Sequence, residues 1–175
     1  MIAEDEKIIA LDLSITLQRL GYNVVGIAAT GNEIFDLIEK FNPDLIMMDI
    51  LLEGEMSGID AADIISQKYE LPVVYLTALT DDETLQKAKR TNPFGYVLKP
   101  YDEKTLHSSV EMALYKHQVD RELLIRTEEL EKEKKRTDEL LKNILPEDIV
   151  NEIKTHGSVT PRYYDQVSIL FTEFC

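Results

Sequence analysis

The run Leu45-Ile46-Met47-Met48 is unbroken in its apolar character and stops at Asp49. Consecutive apolar residues of this kind need cover on both faces, which is the situation of an inner strand in a parallel sheet. Similar runs recur along the first hundred residues. Met1-Ile2-Ala3 precedes Glu4-Asp5, Val24 to Ala28 reads as a strand, Val73-Val74-Tyr75-Leu76 precedes Thr77, and Tyr96-Val97-Leu98 precedes Lys99. Helical periodicity fills the intervals. Ile9, Leu13, Leu17 and Leu20 share a face that Gly21 can end. Ile34, Leu37, Ile38 and Phe41 share another, with Pro43 just beyond. Ile59 to Tyr69 is helix-like, and Asp82 can cap a helix through Thr91. Five strand–helix units in succession predict an α/β fold with a doubly wound parallel sheet. Sheets of this kind bind ligands beyond the carboxyl ends of their strands. Glu4-Asp5, Asp49, Thr77 and Lys99 each stand at such an end or directly after it, so the spacing directs four of five strands at one edge.

Three carboxylates and one ammonium in a single crevice suit a divalent cation and a phosphoryl group. Mg²⁺ takes oxygen ligands and keeps several waters. Asp5 and Asp49 can supply oxygens directly, Glu4 directly or through water, and the backbone carbonyl near Leu51 can add another. A carboxylate beside such a cation can attack a phosphoryl donor. Asp49 ends the central buried strand and is the best-placed nucleophile. Lys99 would balance charge on the transferred oxygens, while the Thr77 hydroxyl and the Ala78 N–H would hold another. Singly, each residue has a plainer role: Asp5 as a helix cap, Thr77 as a hydroxyl at a helix start, Lys99 as a snorkelling strand-end cation. Their joint placement favours the chemical reading.

Beyond Pro100 the texture changes. From Asp102 to about Leu141 there is neither Gly nor Pro, and charges of both signs are dense. Leu123, Thr127, Leu130, Lys134, Thr137, Leu141 and Ile144 recur at alternating spacings of four and three. This predicts a coiled-coil seam whose polar members fix register at some cost in stability. Pro146 suits the first turn of another helix, with Ile149, Val150 and Ile153 on one face and Gly157 able to end it. Gln166 to Phe174 then alternates as a strand, the expectation being a piece of a longer protein that stops where a further domain begins.

The formal net charge is −14, shared by both halves of the chain. Neither half carries the basic footprint that nucleic acid requires. The single cysteine, Cys175, allows no disulfide framework, and the expected setting is cytoplasmic. No apolar run approaches the roughly 18 residues of a membrane helix, so no membrane segment is expected. Neither a G-x-G-x-x-G nor a G-x-x-x-x-G-K-[ST] loop is present.

Five motifs together carry a family resemblance: Glu4-Asp5-Glu6, Met48-Asp49-Ile50, the loop Leu52-Glu53-Gly54-Glu55-Met56-Ser57-Gly58, Leu76-Thr77-Ala78, and Phe94-Gly95-Tyr96-Val97-Leu98-Lys99-Pro100. Residues 1–118 resemble the receiver domain of two-component response regulators. The resemblance implies a flavodoxin-like sheet of order 2-1-3-4-5 and a cis bond before Pro100. It implies that Asp49 accepts phosphate from a histidine kinase, with Mg²⁺ held by Glu4, Asp5, Asp49 and the Leu51 carbonyl. It makes Thr77 and Tyr96 a switch pair: Thr77 moves toward the phosphoryl group and Tyr96 turns inward behind it. Further on, Leu140 to Val150 and Tyr163 to Phe174 resemble the segment that leads into class III adenylate and guanylate cyclases. Phe171-Thr172-Glu173 stands where that family has a metal-binding aspartate, which makes Glu173 a vestige of a cyclase metal site.

The expected organisation is a receiver over 1–118, a coiled-coil signalling helix over 119–145, and a connector with the first strand of a truncated cyclase domain over 146–175. A homodimer would form through residues 81–116 and the 119–145 coiled coil. The expected function is a phospho-accepting regulator that relays a histidine-kinase signal to a nucleotide cyclase. This fragment itself is not expected to turn over beyond its own phosphorylation and dephosphorylation. The rival readings are an interaction scaffold and an aspartate-nucleophile phosphatase. The phosphatase lacks its usual second aspartate, since Ile50 and Leu51 follow Asp49.

Overall fold

The structure, a computed structural model, describes residues 1–78, 82–145 and 147–161 together with positions 163, 166 and 168. Two compact units emerge, Met1–Leu123 and Leu124–Cys175. The first contains β1 (Ile2–Ala3), α1 (Lys7–Arg19), β2 (Ile27–Ala28), α2 (Gly31–Phe41), β3 (Ile46–Asp49), α3 (Gly58–Lys68), β4 (Val73–Thr77), α4 (Asp82–Arg90) and β5 (Gly95–Leu98). The helix α5 (Glu103–Ile144) starts there and continues into the second unit, which also holds α6 (Glu147–His156).

All strand pairs are parallel, and the order is β2-β1-β3-β4-β5. This is the flavodoxin-like order implied by the resemblance. Side chains alternate across the sheet. Ile46, Met48, Val73 and Tyr75 join Ile34, Ile38, Ile65 and Ala88 in one core. Met47, Val74, Leu76 and Val97 join Leu13, Leu17, Leu106 and Val110 in the other. Burial on both faces explains why the inner strands read as continuous apolar runs rather than as alternation.

One strand is shorter than its sequence suggests. Val24 to Ala28 reads as a strand, but only Ile27 and Ala28 pair with β1. The limit is β1 itself, which is two residues long, so the edge strand has little to pair with; bonds from Ile2 N–H to the Gly26 carbonyl and from Glu4 N–H to the Ala28 carbonyl complete the contact.

Helix boundaries follow local chemistry. Gly21 leaves α1 with φ of 93°, and Asn42 closes α2 in a left-handed conformation one residue before Pro43. Ser57 and Asp60 form a reciprocal capping box at the start of α3. The Asp102 carboxylate accepts from the Thr105 N–H at 2.6 Å where α5 begins. The peptide bond from Lys99 to Pro100 is cis.

α5 is unbroken along its length, and its seam residues Leu123, at the end of the first unit, and Leu130, in the second, are 63% and 66% exposed in the single chain. Lys154 of α6 pairs with Asp138 of α5 at 2.7 Å, and Gly157 follows α6 with φ of 71°. Apart from positions 166 and 168, the expected strand from Gln166 to Phe174, and Glu173 with it, lies outside the described residues. No described helix is long and apolar enough to cross a membrane.

Candidate phosphoryl-transfer site

Parallel pairing brings the carboxyl ends of β1, β3, β4 and β5 to one edge. Asp49 is the last residue of β3, and Thr77 is the last of β4. The Lys99 N–H donates to the Thr77 carbonyl at 2.7 Å, which fixes the chain as it leaves β5. The Lys99 ammonium then reaches back across the edge. It donates to Glu4 Oε2 at 2.6 Å and to Asp49 Oδ2 at 2.5 Å. Three residues separated by as many as 95 positions thus share one ion-pair cluster.

Carboxylate oxygens of Glu4, Asp5 and Asp49 lie within 4.8 Å of one another. Glu4 is only 1% exposed, and its Oε1 is buried with no hydrogen-bond partner among the described residues. Asp49 presents its Oδ1 to the Leu51 N–H at 3.0 Å. Three carboxylates against one ammonium leave two net negative charges in a partly desolvated cluster. A hard divalent cation fits this donor set by both charge and oxygen count, and the orphaned Glu4 oxygen is the kind of atom such an ion satisfies. The N-cap position of α1 belongs to Glu6, so Asp5 does not serve as the helix cap.

The electrostatics reflect the crowding. Burial pushes the Glu4 carboxyl above its ordinary value, more strongly than the Lys99 hydrogen bond pulls it down. Burial alone would lower the Lys99 ammonium, but its hydrogen bonds to Asp49 and Glu4 prevail and hold it above its ordinary value. Lys99 therefore stays cationic, and the Glu4 anion is uncomfortable until more positive charge arrives.

An open cleft of about 300 Å³ covers the cluster, lined by Asp5, Asp49, Leu51, Thr77, Ala78 and Lys99 among others. These are residues the sequence assigned to metal or phosphate. Tyr96 is not among the lining residues. Its hydroxyl is buried without a partner among the described residues, and its ring lies 5.7 Å from that of Tyr75.

One residue at the site has no role in the reading of its motif. A Cβ on Gly58 would stand 1.8 Å from the Asp49 carbonyl oxygen. The first turn of α3 presses directly on the end of β3, and only glycine permits that approach. The sequence signal is the lone Gly58 between the cap residue Ser57 and an apolar helix, where nothing about a turn demands glycine.

Residues 1–111 match the family described as the response regulator receiver domain, and residues 101–153 match one described as heme NO binding associated. The chain is 37% identical over 114 residues to the transcriptional regulatory protein PdtaR of Mycobacterium tuberculosis, covering 65% of this chain and 55% of that protein. It is 34% identical over 116 residues to the phyllosphere-induced regulator PhyR of Methylorubrum extorquens, covering 66% and 43%. The chain thus spans about half the length of these curated relatives. Among solved structures, the signal receiver domain of a modulated diguanylate cyclase from Desulfovibrio desulfuricans G20 superposes with a TM-score of 0.65 at 39% identity, covering 68% of this chain and 94% of that one. With the fold, the strand-end cluster and these likenesses in agreement, the chain belongs to the response regulator receiver family.

Proposed function

We propose that Asp49 accepts a phosphoryl group from a histidine kinase and that the resulting charge is relayed through α5 to a nucleotide cyclase output. The observation that carries the first part is the cluster of Lys99 with Glu4 and Asp49 beside Asp5, in an open cleft. Glu4, Asp5, Asp49 and the Leu51 carbonyl would hold Mg²⁺. When bound, the ion would draw negative charge from the transferring phosphoryl oxygens. The chain's own residues do the rest. A carboxylate oxygen of Asp49 forms the new P–O bond as the P–N bond to the donor imidazole breaks, and the leaving imidazole keeps the electron pair. Lys99 pairs with a phosphoryl oxygen, and the Thr77 hydroxyl with the Ala78 N–H holds another. Thr77 moves toward the new anion, with Tyr96 as its switch partner.

The output half rests on the α5–α6 segment. Its match to the heme NO binding associated family over 101–153, together with the Leu140 to Val150 motif, supports a cyclase-type signalling helix. In this reading two copies pair through residues 81–116 and the 119–145 seam, the chain works in the cytoplasm, and phosphorylation resets the pairing of the helices. Weakly polar seams allow this, because two arrangements of similar energy can be biased by a few kcal/mol.

The test is intact-mass analysis after incubation with acetyl phosphate and Mg²⁺. The expected result is one base-labile phosphoryl group per chain, absent with chelator and absent in Asp49→Asn. Labelling of equal extent in Asp49→Asn would overturn the assignment. For the output, fusion of residues 1–166 to a class III catalytic domain should make cyclic nucleotide formation depend on acetyl phosphate.

A further inference from the structure

β4 places Tyr75 next to both members of the proposed switch. It lies two residues before Thr77, so the two project from the same face of the strand. It is also the register partner of Tyr96 on β5, and the two rings pack with centroids 5.7 Å apart and planes inclined by 31°. Tyr75 is fully buried.

Its hydroxyl reaches away from the sheet to α4. The Tyr75 hydroxyl and Thr91 Oγ1 are 2.9 Å apart, and Thr91 Oγ1 donates to the Ala88 carbonyl at 2.8 Å. A threonine hydroxyl has one proton. Thr91 spends it on Ala88, so Tyr75 must be the donor to Thr91. Burial raises the Tyr75 phenol to about 12, so it keeps that proton throughout the neutral range. Thr91 is 7% exposed and Ala88 is fully buried, so the chain of bonds runs through the interior and ends on the last turn of α4. Tyr96, by contrast, buries its hydroxyl with no partner among the described residues. Among the described residues its hydroxyl is held by packing, and part of the packing surface is a ring that α4 holds in place.

We propose that Tyr75 is a positioning residue for the switch. Through Thr91 and Ala88 it ties the end of α4 to the ring against which Tyr96 rests, so that movement of Thr77 and Tyr96 and movement of α4 are one event. This rests on the phospho-acceptor reading of Asp49 and adds to it how the signal leaves the cleft. A buried unsatisfied hydroxyl is costly, and a costly arrangement is easily displaced. The tyrosine with the orphaned hydroxyl is therefore the part that moves, and the bonded one is the fulcrum.

The experiment uses the whole chain in four forms: wild type, Tyr75→Phe, Thr91→Val and Thr91→Ser. Phosphoryl uptake from acetyl phosphate is measured first by intact mass. All four should be labelled alike, because none of the substitutions touches the cleft. Failure of the wild type to label would remove the phospho-acceptor reading itself, a result distinct from those that follow. Ring resonances of Tyr96 and amide exchange over residues 86–91 are then compared with and without beryllofluoride and Mg²⁺. In the wild type and Thr91→Ser the Tyr96 resonance and α4 exchange respond together. In Tyr75→Phe and Thr91→Val, basal exchange over α4 rises about fivefold, the scale expected for one lost buried hydrogen bond, and the Tyr96 response no longer tracks that of α4. Simple destabilisation would raise exchange everywhere and leave the two responses linked, which overturns the proposal. So would failure of Thr91→Ser to restore the wild-type pattern. Should Tyr75→Phe not fold, the wild type alone suffices. Its Tyr75 hydroxyl proton should exchange slowly enough to be seen and should correlate with Thr91; its absence overturns the proposed tie.

Discussion

At the scale of single residues, the site is a matter of where charge is placed and what it lacks. Glu4 shows this most clearly. It is buried, one oxygen meets Lys99, and the other has no hydrogen-bond partner among the described residues. Its raised pKa means that the folded, metal-free chain binds this proton more tightly than the unfolded chain does. That contribution to stability is fully present below the ordinary glutamate pKa and is lost as pH rises through the higher folded value. Ionising Glu4 in the metal-free protein is therefore unfavourable. Glu4→Gln should stabilise the metal-free chain at pH 7 by about 1 kcal/mol, on the scale of an unsatisfied buried group. The gain should shrink toward pH 4, and Mg²⁺ should stabilise the variant less than the wild type. Thermal melts across pH, with and without Mg²⁺, check all three. The identities of Glu4, Asp5, Asp49, Thr77 and Lys99 were legible in the sequence because each stands where an apolar run stops. The orphaned Glu4 oxygen was not, since it depends on how Lys99 divides its protons between two acceptors. Tyr75 was not legible either: within Val73-Val74-Tyr75-Leu76 it passes for one more core residue, and its role comes from a threonine on another element.

At the scale of elements, the inner strands were the most legible part of the fold and the edge the least. Burial on both sides gives β3 and β4 an apolar signature that survives without context. β2 has one neighbour, and that neighbour is two residues long, so its extent is decided by β1 rather than by its own sequence. The joint between β3 and α3 is equally hidden from the sequence, because it depends on a distance. A side chain at position 58 would drive into the Asp49 carbonyl. Gly58→Ala should cost about 1–3 kcal/mol, the range for forced overpacking. It should also slow phosphoryl uptake, since the displaced backbone is that of the proposed acceptor Asp49. Denaturant melts and the acetyl phosphate time course read the two effects separately. The start of α5 has a pH limit of its own. The Thr105 N–H bond and the neighbouring backbone hold the Asp102 carboxyl below its ordinary value. The cap is thus intact above the ordinary aspartate pKa and is lost as pH falls through the lower folded value. Protection of the Thr105 amide against exchange should disappear over that acidic range, and Asp102→Ala should abolish it at every pH.

At the scale of the whole molecule, a single helix links the receiver unit to the second unit, and its surface is more apolar than an isolated helix requires. Met112 and Tyr115 are each 71% exposed, Val119 is 42% exposed, and Leu123 and Leu130 follow at 63% and 66%. Spacings of three, four, four and seven place these residues along one slowly winding stripe. An apolar stripe of this length, within an α5 of 42 residues, is what a second copy would cover in the proposed dimer. The polar seam positions Thr127, Lys134 and Thr137 dilute that stripe, so the apolar positions must carry the pairing. Leu130 stands midway between Thr127 and Lys134, and its loss should therefore be felt most. Leu130→Asp would place a carboxylate in the seam of both helices at once, a change that costs more than about 3 kcal/mol and weakens pairing more than about 100-fold. Sedimentation velocity at micromolar concentration should show a wild-type dimer, or a dimer that appears with beryllofluoride, and a monomeric Leu130→Asp. Phosphoryl uptake at Asp49 should be unchanged in the variant, because the cleft is built entirely from residues 4–99 of the receiver unit. A wild type that stays monomeric with and without beryllofluoride would sever the cleft from any output that needs two chains.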